Sequence, residues 1–170
     1  FTYQDWWNRN KPNDEELESQ RIKSFMYNPK ISIVVPLYKS NLNFLNILIE
    51  SIIHQTYSNW ELCLSDGTGK RTQLTDYLNG LKNKDERIFC TSSNKQLNIS
   101  NNTNAAIALA TGDFIAFADH DDVLPPNALY EIVECINNEK PDIIYTDEDK
   151  IDSTGKKYFD GHFKSDFNPD

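Results

Sequence analysis

Cysteine is scarce in this sequence, and its spacing argues against several kinds of site. The three cysteines, Cys63, Cys90 and Cys135, are widely separated and lie within apolar patterns. Structural zinc sites usually draw on closely spaced cysteine pairs, which are missing here. An odd number of isolated cysteines in apolar surroundings is typical of buried free thiols in a cytosolic protein.

Long apolar runs and targeting signals are missing as well. No stretch approaches the roughly 20 apolar residues of a membrane-spanning helix, and residues 1–7 lack the basic and apolar regions of a signal peptide. The sequence does not begin with methionine, so we expect a segment of a longer chain. We predict a cytoplasmic location, with attachment to the inner face of a membrane left to regions outside this segment.

Basic residues are too few for a nucleic-acid-binding protein. The formal net charge is −9 and the isoelectric point is about 4.8, whereas binding to DNA or RNA needs a basic surface. Glycine-rich phosphate loops are also missing: no Gly-x-Gly-x-x-Gly and no Gly-Lys-Ser/Thr follows the first apolar run. The sequence therefore does not support dinucleotide or P-loop binding.

The chain does contain alternating apolar strands and amphipathic helices, which predict an α/β fold. This order predicts a mostly parallel, Rossmann-like sheet with helices on both faces. We expect a helical N-terminal arm over residues 1–29 with Asn13 as a helix cap, an α/β domain over 30–150, and a different region over 151–170 with a turn at 153–156. Predicted strands are 31–36, 60–64, 87–91, 114–118 and 142–146, and Asn41 and Ser100 are predicted helix caps.

An acidic cluster follows the fourth predicted strand. Five apolar residues, 114–118, read as a buried strand, and Asp119, His120, Asp121 and Asp122 follow directly. Ligands of open α/β sheets bind at this carboxyl edge, and carboxylate oxygens favour Mg²⁺ or Mn²⁺ over zinc. The alternative is structural, because Asp is common in turns and helix caps; Asp122 is the best candidate for that role. The cluster predicts a metal-dependent enzyme acting on a phosphorylated or nucleotide substrate.

Other predicted strands end in polar residues at the same edge. The first ends in Pro36-Leu37-Tyr38-Lys39, the second in Asp66-Gly67-Thr68, and the fifth in residues 147–149, Asp-Glu-Asp. Carboxylates gathered at one edge repel each other unless a cation or hydrogen-bond donors compensate. For Asp66, a turn residue before Gly67 and a carboxylate that accepts from a nucleobase are both consistent with the sequence.

Three segments together resemble the inverting family 2 glycosyltransferases, which have the GT-A (nucleotide-diphospho-sugar transferase) fold. The segments are 31–38, similar to the family's opening strand and its Pro-Val-Tyr-Asn end; 65–68, similar to Asp-Asp-Gly-Ser; and 103–122, similar to its helix, strand and Asp-x-Asp motif. The match covers about residues 30–150. Residues 145–150, together with 163–170, look like the branch of the family that builds bacterial surface polysaccharides.

The resemblance implies a role for each matching residue. It implies donor-nucleotide binding by Pro36, Leu37, Tyr38, Asp66, Asn104 and Asp119, and a Mg²⁺ or Mn²⁺ ion held by Asp121 and Asp119. Asp66 would accept from uracil or thymine, so a UDP- or dTDP-sugar is expected as donor, with a glycan or lipid-linked glycan as acceptor.

The resemblance also implies where the catalytic base belongs. The base is an Asp in the family, well beyond the Asp-x-Asp motif, and we expect it downstream of Asp170. Residues 151–170 would then begin an incomplete acceptor side, and this segment alone would be inactive.

Some residues depart from the family pattern, and two other functions remain open. Lys39 stands where the family usually has Asn, and Ser65 stands where it has the first Asp of the second motif. Asn98 and Thr103 stand where many members have Gly and Arg.

A nucleotidyltransferase of similar fold is one alternative, although its glycine-rich phosphate loop is missing after the first strand. A non-catalytic, degenerate nucleotide-sugar-binding domain is the other.

Overall fold

The computed structural model of the protein describes residues 1–81 and 83–165. Within them, helices and parallel strands alternate, and an antiparallel hairpin follows. The helices are α1 (Tyr3–Asn10), α2 (Asp14–Ile22), α3 (Leu42–Ile53), α4 (Gln73–Leu81), α5 (Ile99–Ile107) and α6 (Ala128–Glu139). The strands are β1 (Ile31–Leu37), β2 (Trp60–Asp66), β3 (Ile88–Ser92), β4 (Phe114–Phe117), β5 (Glu148–Ile151) and β6 (Tyr158–His162).

The main sheet has the strand order β3-β2-β1-β4, and all three neighbouring pairs are parallel. Leu37 at the end of β1 is in register with Asp66 at the end of β2, and Val34 is in register with Phe117. The carboxyl ends of β1, β2 and β4 therefore meet at one edge. The predicted α/β class with a mostly parallel sheet is confirmed.

Helices cover both faces of this sheet. On one face, Val34 of β1 and Cys63 of β2 pack against Ala106 of α5. On the other face, alternate strand residues such as Ile33 pack with fully buried residues of α3 and α6, among them Leu48 and Val133. Each large apolar side chain buried in this way stabilises the fold by about 1.5–3 kcal/mol.

The helix caps follow local sequence, with one correction. The side chain of Asn13 caps α2 and the side chain of Asn41 caps α3, as predicted. The predicted cap Ser100 is wrong: Asn98 caps α5, and its Oδ1 accepts from the Asn101 amide at 2.8 Å. Asn and Ser are comparable N-cap residues, so the sequence pattern did not separate the two positions.

No strand forms over the predicted residues 142–146. These residues lie outside regular secondary structure, and the side chains of Ile143 and Tyr145 are 81% and 46% exposed. A β-prone run becomes a strand only where a neighbouring strand offers hydrogen bonds, and no described strand pairs with this one. The predicted turn at 153–156 does join two strands, the antiparallel pair β5 and β6.

Strand β4 is half-exposed, whereas the sequence predicted a buried strand. Phe114 and Ala116 pack on the core, but Ile115 and Phe117 are 43% and 68% exposed. Phe117 is in register with Val34, so it lies on the face that α5 covers over β1 and β2. In the described part of the chain β4 is an edge strand of the sheet, and α5 leaves the side chain of Phe117 exposed.

The N-terminal arm packs on the β5–β6 hairpin through its aromatic residues. The rings of Trp7 and Tyr158 stack with centroids 4.4 Å apart, and the ring of Trp6 meets that of Phe163 at 5.3 Å. The Tyr3 hydroxyl donates to Asp149 at 2.8 Å. No helix among the described residues is long and apolar enough to cross a bilayer. The predicted domain boundaries remain a proposal.

Candidate functional site

The end of β1 supplies mainly backbone to the candidate site. Leu37 is fully buried, Pro36 half-buried and Tyr38 exposed. The Leu37 carbonyl accepts from the Gly67 amide at 2.9 Å and from the Asn102 side-chain amide at 2.8 Å. These bonds fix the end of β1 to the turn after β2. Of the predicted residues 36–38, only Tyr38 offers much side-chain surface to a ligand.

Asp66 lies at the predicted place, but its carboxylate is already engaged. The residue is 1% exposed; Oδ1 accepts from the Thr68 amide at 2.9 Å and Oδ2 from the Thr75 hydroxyl at 3.3 Å. The first bond closes the turn after β2, so the structural interpretation of Asp66 fits. The second bond is long, and a ligand N–H that displaced the Thr75 hydroxyl would meet Oδ2.

Asn102 is a residue that the sequence argument did not assign. It is 3% exposed; Oδ1 accepts from the Ser65 hydroxyl at 2.7 Å, while Nδ2 donates to Leu37. A Cβ on Gly67 would lie 2.7 Å from the Asn102 side chain, so this helix–turn contact requires glycine. Asn102 therefore holds the ends of β1 and β2 together beneath the site.

The feature of the sequence that could have identified Asn102 as a buried polar residue is its helical spacing. It lies four residues before the buried Ala106 on the inner face of α5, where a polar side chain needs partners. Asn104, which the resemblance implied, is exposed on the same helix.

The acidic cluster forms a tight turn after β4. Asp122 Oδ2 accepts from the Asp119 amide at 2.7 Å, and the Asp122 amide donates to the Asp119 carbonyl at 3.1 Å. Asp122 is thus a turn residue, as its structural interpretation predicted. Partial desolvation raises the pKa of the Asp122 carboxyl, the hydrogen bond from the Asp119 amide opposes this, and the nearby charges of Asp119, Asp121 and Glu148 raise it further.

The cluster offers two exposed carboxylates to a cation. Asp119 and Asp121 are both exposed, and His120 Nδ1 lies 3.9 Å from Asp121 Oδ1. Over residues 1–81 and 83–165, no three His, Cys, Asp or Glu side chains come together as a metal-binding group. One or two carboxylates are nevertheless what Mg²⁺ usually takes from a protein when substrate phosphates and water complete its shell. The donor set therefore fits a metal that arrives with a phosphorylated ligand.

Residues 147–149 contribute fewer carboxylates to the candidate site than the sequence suggested. Asp147 Oδ1 accepts from the Lys164 amide at 2.8 Å, and Asp149 accepts from Tyr3, so both stabilise the hairpin and arm. The charge of Glu148 contributes to the raised pKa of Asp122 in the acidic cluster.

The predicted acceptor side is described only in part. Of residues 151–170, the structure describes 151–165, which contain β6 and the turn before it. Asp170, the residue beyond which we expect the catalytic base, lies outside the described residues together with 166–169. The expected base downstream of Asp170 therefore stays a prediction, and none of the described carboxylates is assigned to that role.

Lys39 has a backbone conformation that favours a different residue. Its φ is 49°, in the left-handed region, and its amide donates to the Thr68 hydroxyl at 3.1 Å. Asn and Gly adopt this conformation at lower cost than other residues. The Asn expected here from the resemblance is therefore explained by backbone geometry, and Lys39 carries that strain.

A buried carboxylate at the opposite edge positions β4. Glu61 is 1% exposed, pairs with the Lys30 ammonium, and accepts from the Ser32 hydroxyl at 2.7 Å and from the Thr111 amide and hydroxyl at 2.5 and 2.8 Å. The Ser32 hydroxyl in turn accepts from the Gly112 amide at 2.8 Å. This network fixes the turn that leads into β4, and so the strand that carries Asp119 and Asp121.

With this geometry established, comparisons with known proteins show the family. Residues 32–168 match the sequence profile described as Glycosyl transferase family 2, and the chain belongs to that family. This membership agrees with the parallel sheet and with the polar residues at its carboxyl edge.

Two curated relatives align over most of the chain. An uncharacterised protein, y4gI, of Sinorhizobium fredii is 40% identical over 154 residues, which are 89% of this chain and 17% of that protein. The O-antigen biosynthesis protein RfbC of Myxococcus xanthus is 27% identical over 169 residues, 99% of this chain and 13% of RfbC. The chain therefore spans less than a fifth of the length of these two relatives.

Solved structures show the same fold at low identity. Staphylococcus aureus TarS (residues 1–349) in complex with UDP-GlcNAc has a TM-score of 0.57 at 22% identity, over 65% of this chain and 32% of TarS. The mannosyltransferase PcManGT of Pyrobaculum calidifontis, in complex with GDP-Man and Mn²⁺, has a TM-score of 0.57 at 17% identity, over 72% of this chain and 38% of PcManGT. The predicted GT-A fold is thereby confirmed.

Proposed function

We propose that this chain is the donor-binding part of a glycosyltransferase that takes a sugar from a UDP- or dTDP-sugar and transfers it to a polysaccharide or other glycan. The observation that carries the proposal is the meeting of β1, β2 and β4 at one sheet edge, with Tyr38, Asp66 and two exposed carboxylates there. Membership of family 2 supports it. Because the chain spans a small part of its relatives, the complete reaction is proposed for the whole protein.

The donor nucleotide lies, in this proposal, across the ends of β1 and β2. The base contacts the backbone of Pro36 and Leu37 and the ring of Tyr38, and its N–H reaches Asp66 after displacing Thr75. Asp119 holds the ribose, and Asn104 contributes from α5. The complexes of TarS with UDP-GlcNAc and of PcManGT with GDP-Man support a nucleotide-sugar donor by analogy.

Asp121 and Asp119 are proposed to hold Mg²⁺ or Mn²⁺ together with the donor diphosphate. Both carboxylates are exposed, and two carboxylates plus phosphate oxygens suit these ions. When bound, the ion neutralises charge on the departing diphosphate. The Mn²⁺ in the PcManGT complex supports this role.

We propose transfer with inversion, in a single displacement by an acceptor hydroxyl. The hydroxyl needs a carboxylate base on the acceptor side, which family 2 members carry downstream of the Asp-x-Asp segment, and we place it beyond Asp170. We expect these 170 residues alone to bind the donor and to transfer little sugar; robust transfer by this chain would contradict that expectation.

Calorimetric titration of UDP tests the donor site. We expect saturable binding with Mn²⁺ that EDTA abolishes, and an affinity at least tenfold lower in Asp121→Asn, equal to about 1.4 kcal/mol. Asp142→Asn is the matched control, because Asp142 is exposed and lies outside the site. No metal-dependent binding of UDP or dTDP by the folded chain would refute the donor site and favour a non-catalytic domain.

A further inference from the structure

A cavity of about 350 Å³ lies between the N-terminal helix and the rest of the molecule. Gln4, Trp7 and Asn8 of α1 line one side, and Tyr158 of β6 lines another. Pro125, in the loop that follows the acidic cluster, closes a third side. Its volume lies near the lower end of the roughly 300–1,000 Å³ typical of small-molecule sites.

Half of this cavity lies outside the segment that defines the family. The family match begins at residue 32, whereas α1 ends at Asn10 and Lys11 and Pro12 also line the cavity. The N-terminal arm therefore supplies half of the residues that line the cavity, and the family-matched segment supplies the other half. It is also separate from the proposed donor residues, none of which lines it.

The walls are held in place by contacts of their own. Tyr158 stacks on Trp7, and its backbone amide donates to Gln4 Oε1 at 2.7 Å. On the opposite wall, the Pro125 carbonyl accepts from the Gln55 side chain at 2.7 Å and the Pro126 carbonyl from the Thr56 amide at 2.8 Å. A cavity whose walls are already ordered binds a ligand without a further ordering cost.

The lining combines aromatic rings with side-chain amides. Trp7 and Tyr158 stack on each other, so each ring offers a ligand its edge or its outer face. Large, rigid aromatic side chains with an apolar body and a polar tip suit the apolar C–H face of a pyranose ring. Asn8 Oδ1 accepts from Gln4 Nε2 at 3.2 Å, and its own NH₂ group makes no hydrogen bond among the described residues. That NH₂ group is available to a sugar hydroxyl.

The charge of the cavity is opposite to that of the protein. Lys11 and Lys156 line it, and no carboxylate does, although the chain carries a net charge of −9. Neither lysine ammonium forms an ion pair within residues 1–81 and 83–165. Two uncompensated cations at a site on an acidic protein select an anionic ligand.

We propose that this cavity binds an anionic sugar unit of the glycan acceptor. The ring packs against Trp7 and Tyr158, and its anionic group, a uronate carboxylate or a sugar phosphate, meets Lys11 and Lys156. Pro125 lies three residues after Asp122, so the loop that follows the acidic cluster forms part of the wall of this cavity. The identification of the ligand as an acceptor rests on the proposed function.

Ligand-observed NMR on the full 170-residue chain, without nucleotide or metal, tests this site. The probes are methyl glucuronide, glucose 1-phosphate, methyl glucoside and inorganic phosphate. We expect saturable binding of at least one anionic sugar, stronger than that of methyl glucoside. The double substitution Lys11→Gln with Lys156→Gln should weaken it about fivefold, the effect of losing two exposed charge contacts.

The matched control is Lys157→Gln, which removes the neighbouring lysine that does not line the cavity and should leave binding unchanged. Trp7→Ala, with folding checked by circular dichroism, should abolish binding of the sugar. Equal binding by the double variant and the unsubstituted chain would overturn the proposal, as would inorganic phosphate binding as tightly as glucose 1-phosphate. Because donor and metal are omitted, failure here leaves the UDP titration standing, and failure of that titration leaves this site standing.

Discussion

Glu61 offers a direct test of how the fold positions the acidic cluster. Its carboxylate is 1% exposed, contacts the Lys30 ammonium and accepts three further hydrogen bonds from Ser32 and Thr111. Burial by itself raises the pKa of Glu61, but these donors outweigh it and lower the pKa from 4.5 to about 2. The folded state therefore strongly favours the charged carboxylate.

The expected magnitude follows from that pKa. One pKa unit corresponds to about 1.4 kcal/mol, so the charged form of Glu61 contributes about 3 kcal/mol to the free energy of unfolding at pH 7. Because the pKa is depressed in the folded state, this contribution is fully present above the unfolded-state pKa near 4.5. It is lost as the pH falls through that value towards 2. The value of about 3 kcal/mol derived from the pKa agrees with the cost of breaking a buried ion pair, which is typically about 3–5 kcal/mol.

Urea denaturation of Glu61→Gln, followed by circular dichroism, measures the effect. We expect the variant to lose about 3 kcal/mol of unfolding free energy at pH 7, and the difference from the unsubstituted protein to shrink by about half at pH 3. Glu86→Gln, which changes an exposed glutamate, should stay within about 0.5 kcal/mol. A loss below about 1 kcal/mol at pH 7, or a difference independent of pH, would refute the reasoning.

Two further predictions concern the residues around the ends of β1 and β2. Asn102→Ala should lower the unfolding free energy by about 2 kcal/mol, because the buried Ser65 hydroxyl and Leu37 carbonyl each lose a partner; an unchanged melting temperature would contradict this. Lys39→Asn should raise the denaturation midpoint by an amount equal to about 0.5–1 kcal/mol, because Asn tolerates the left-handed backbone better. Lys70→Asn, at an exposed position without a positive φ, is the control, and equal midpoints in both variants would argue against strain at Lys39.

Local sequence patterns were sufficient for most of the fold. Apolar runs and helical periodicity placed four of the five predicted strands, and Asn13 and Asn41 were recognised as caps because an N-cap bond is made within three residues of the chain. The edge at which the polar strand ends meet also followed from sequence, since parallel strands with crossover helices bring their carboxyl ends together.

Tertiary structure decided what depends on partners distant in the chain. Residues 142–146 are as apolar as the true strands, but no described strand pairs with them, so they remain outside the sheet. The sequence left Asp66 open as a turn residue or as a nucleobase acceptor, whereas the fold shows that Thr68 and Thr75 donate to its carboxylate.

The same dependence explains the residues that sequence reasoning missed. The roles of Asn102 and Glu61 come from hydrogen bonds to residues that lie from 29 to 65 positions away in the chain. The arm cavity likewise joins α1 to β6, at opposite ends of the chain. The sequence by itself determined most of the elements and their order, because these depend on neighbouring residues. Burial, strand pairing and side-chain partners were decided only by the packing of those elements.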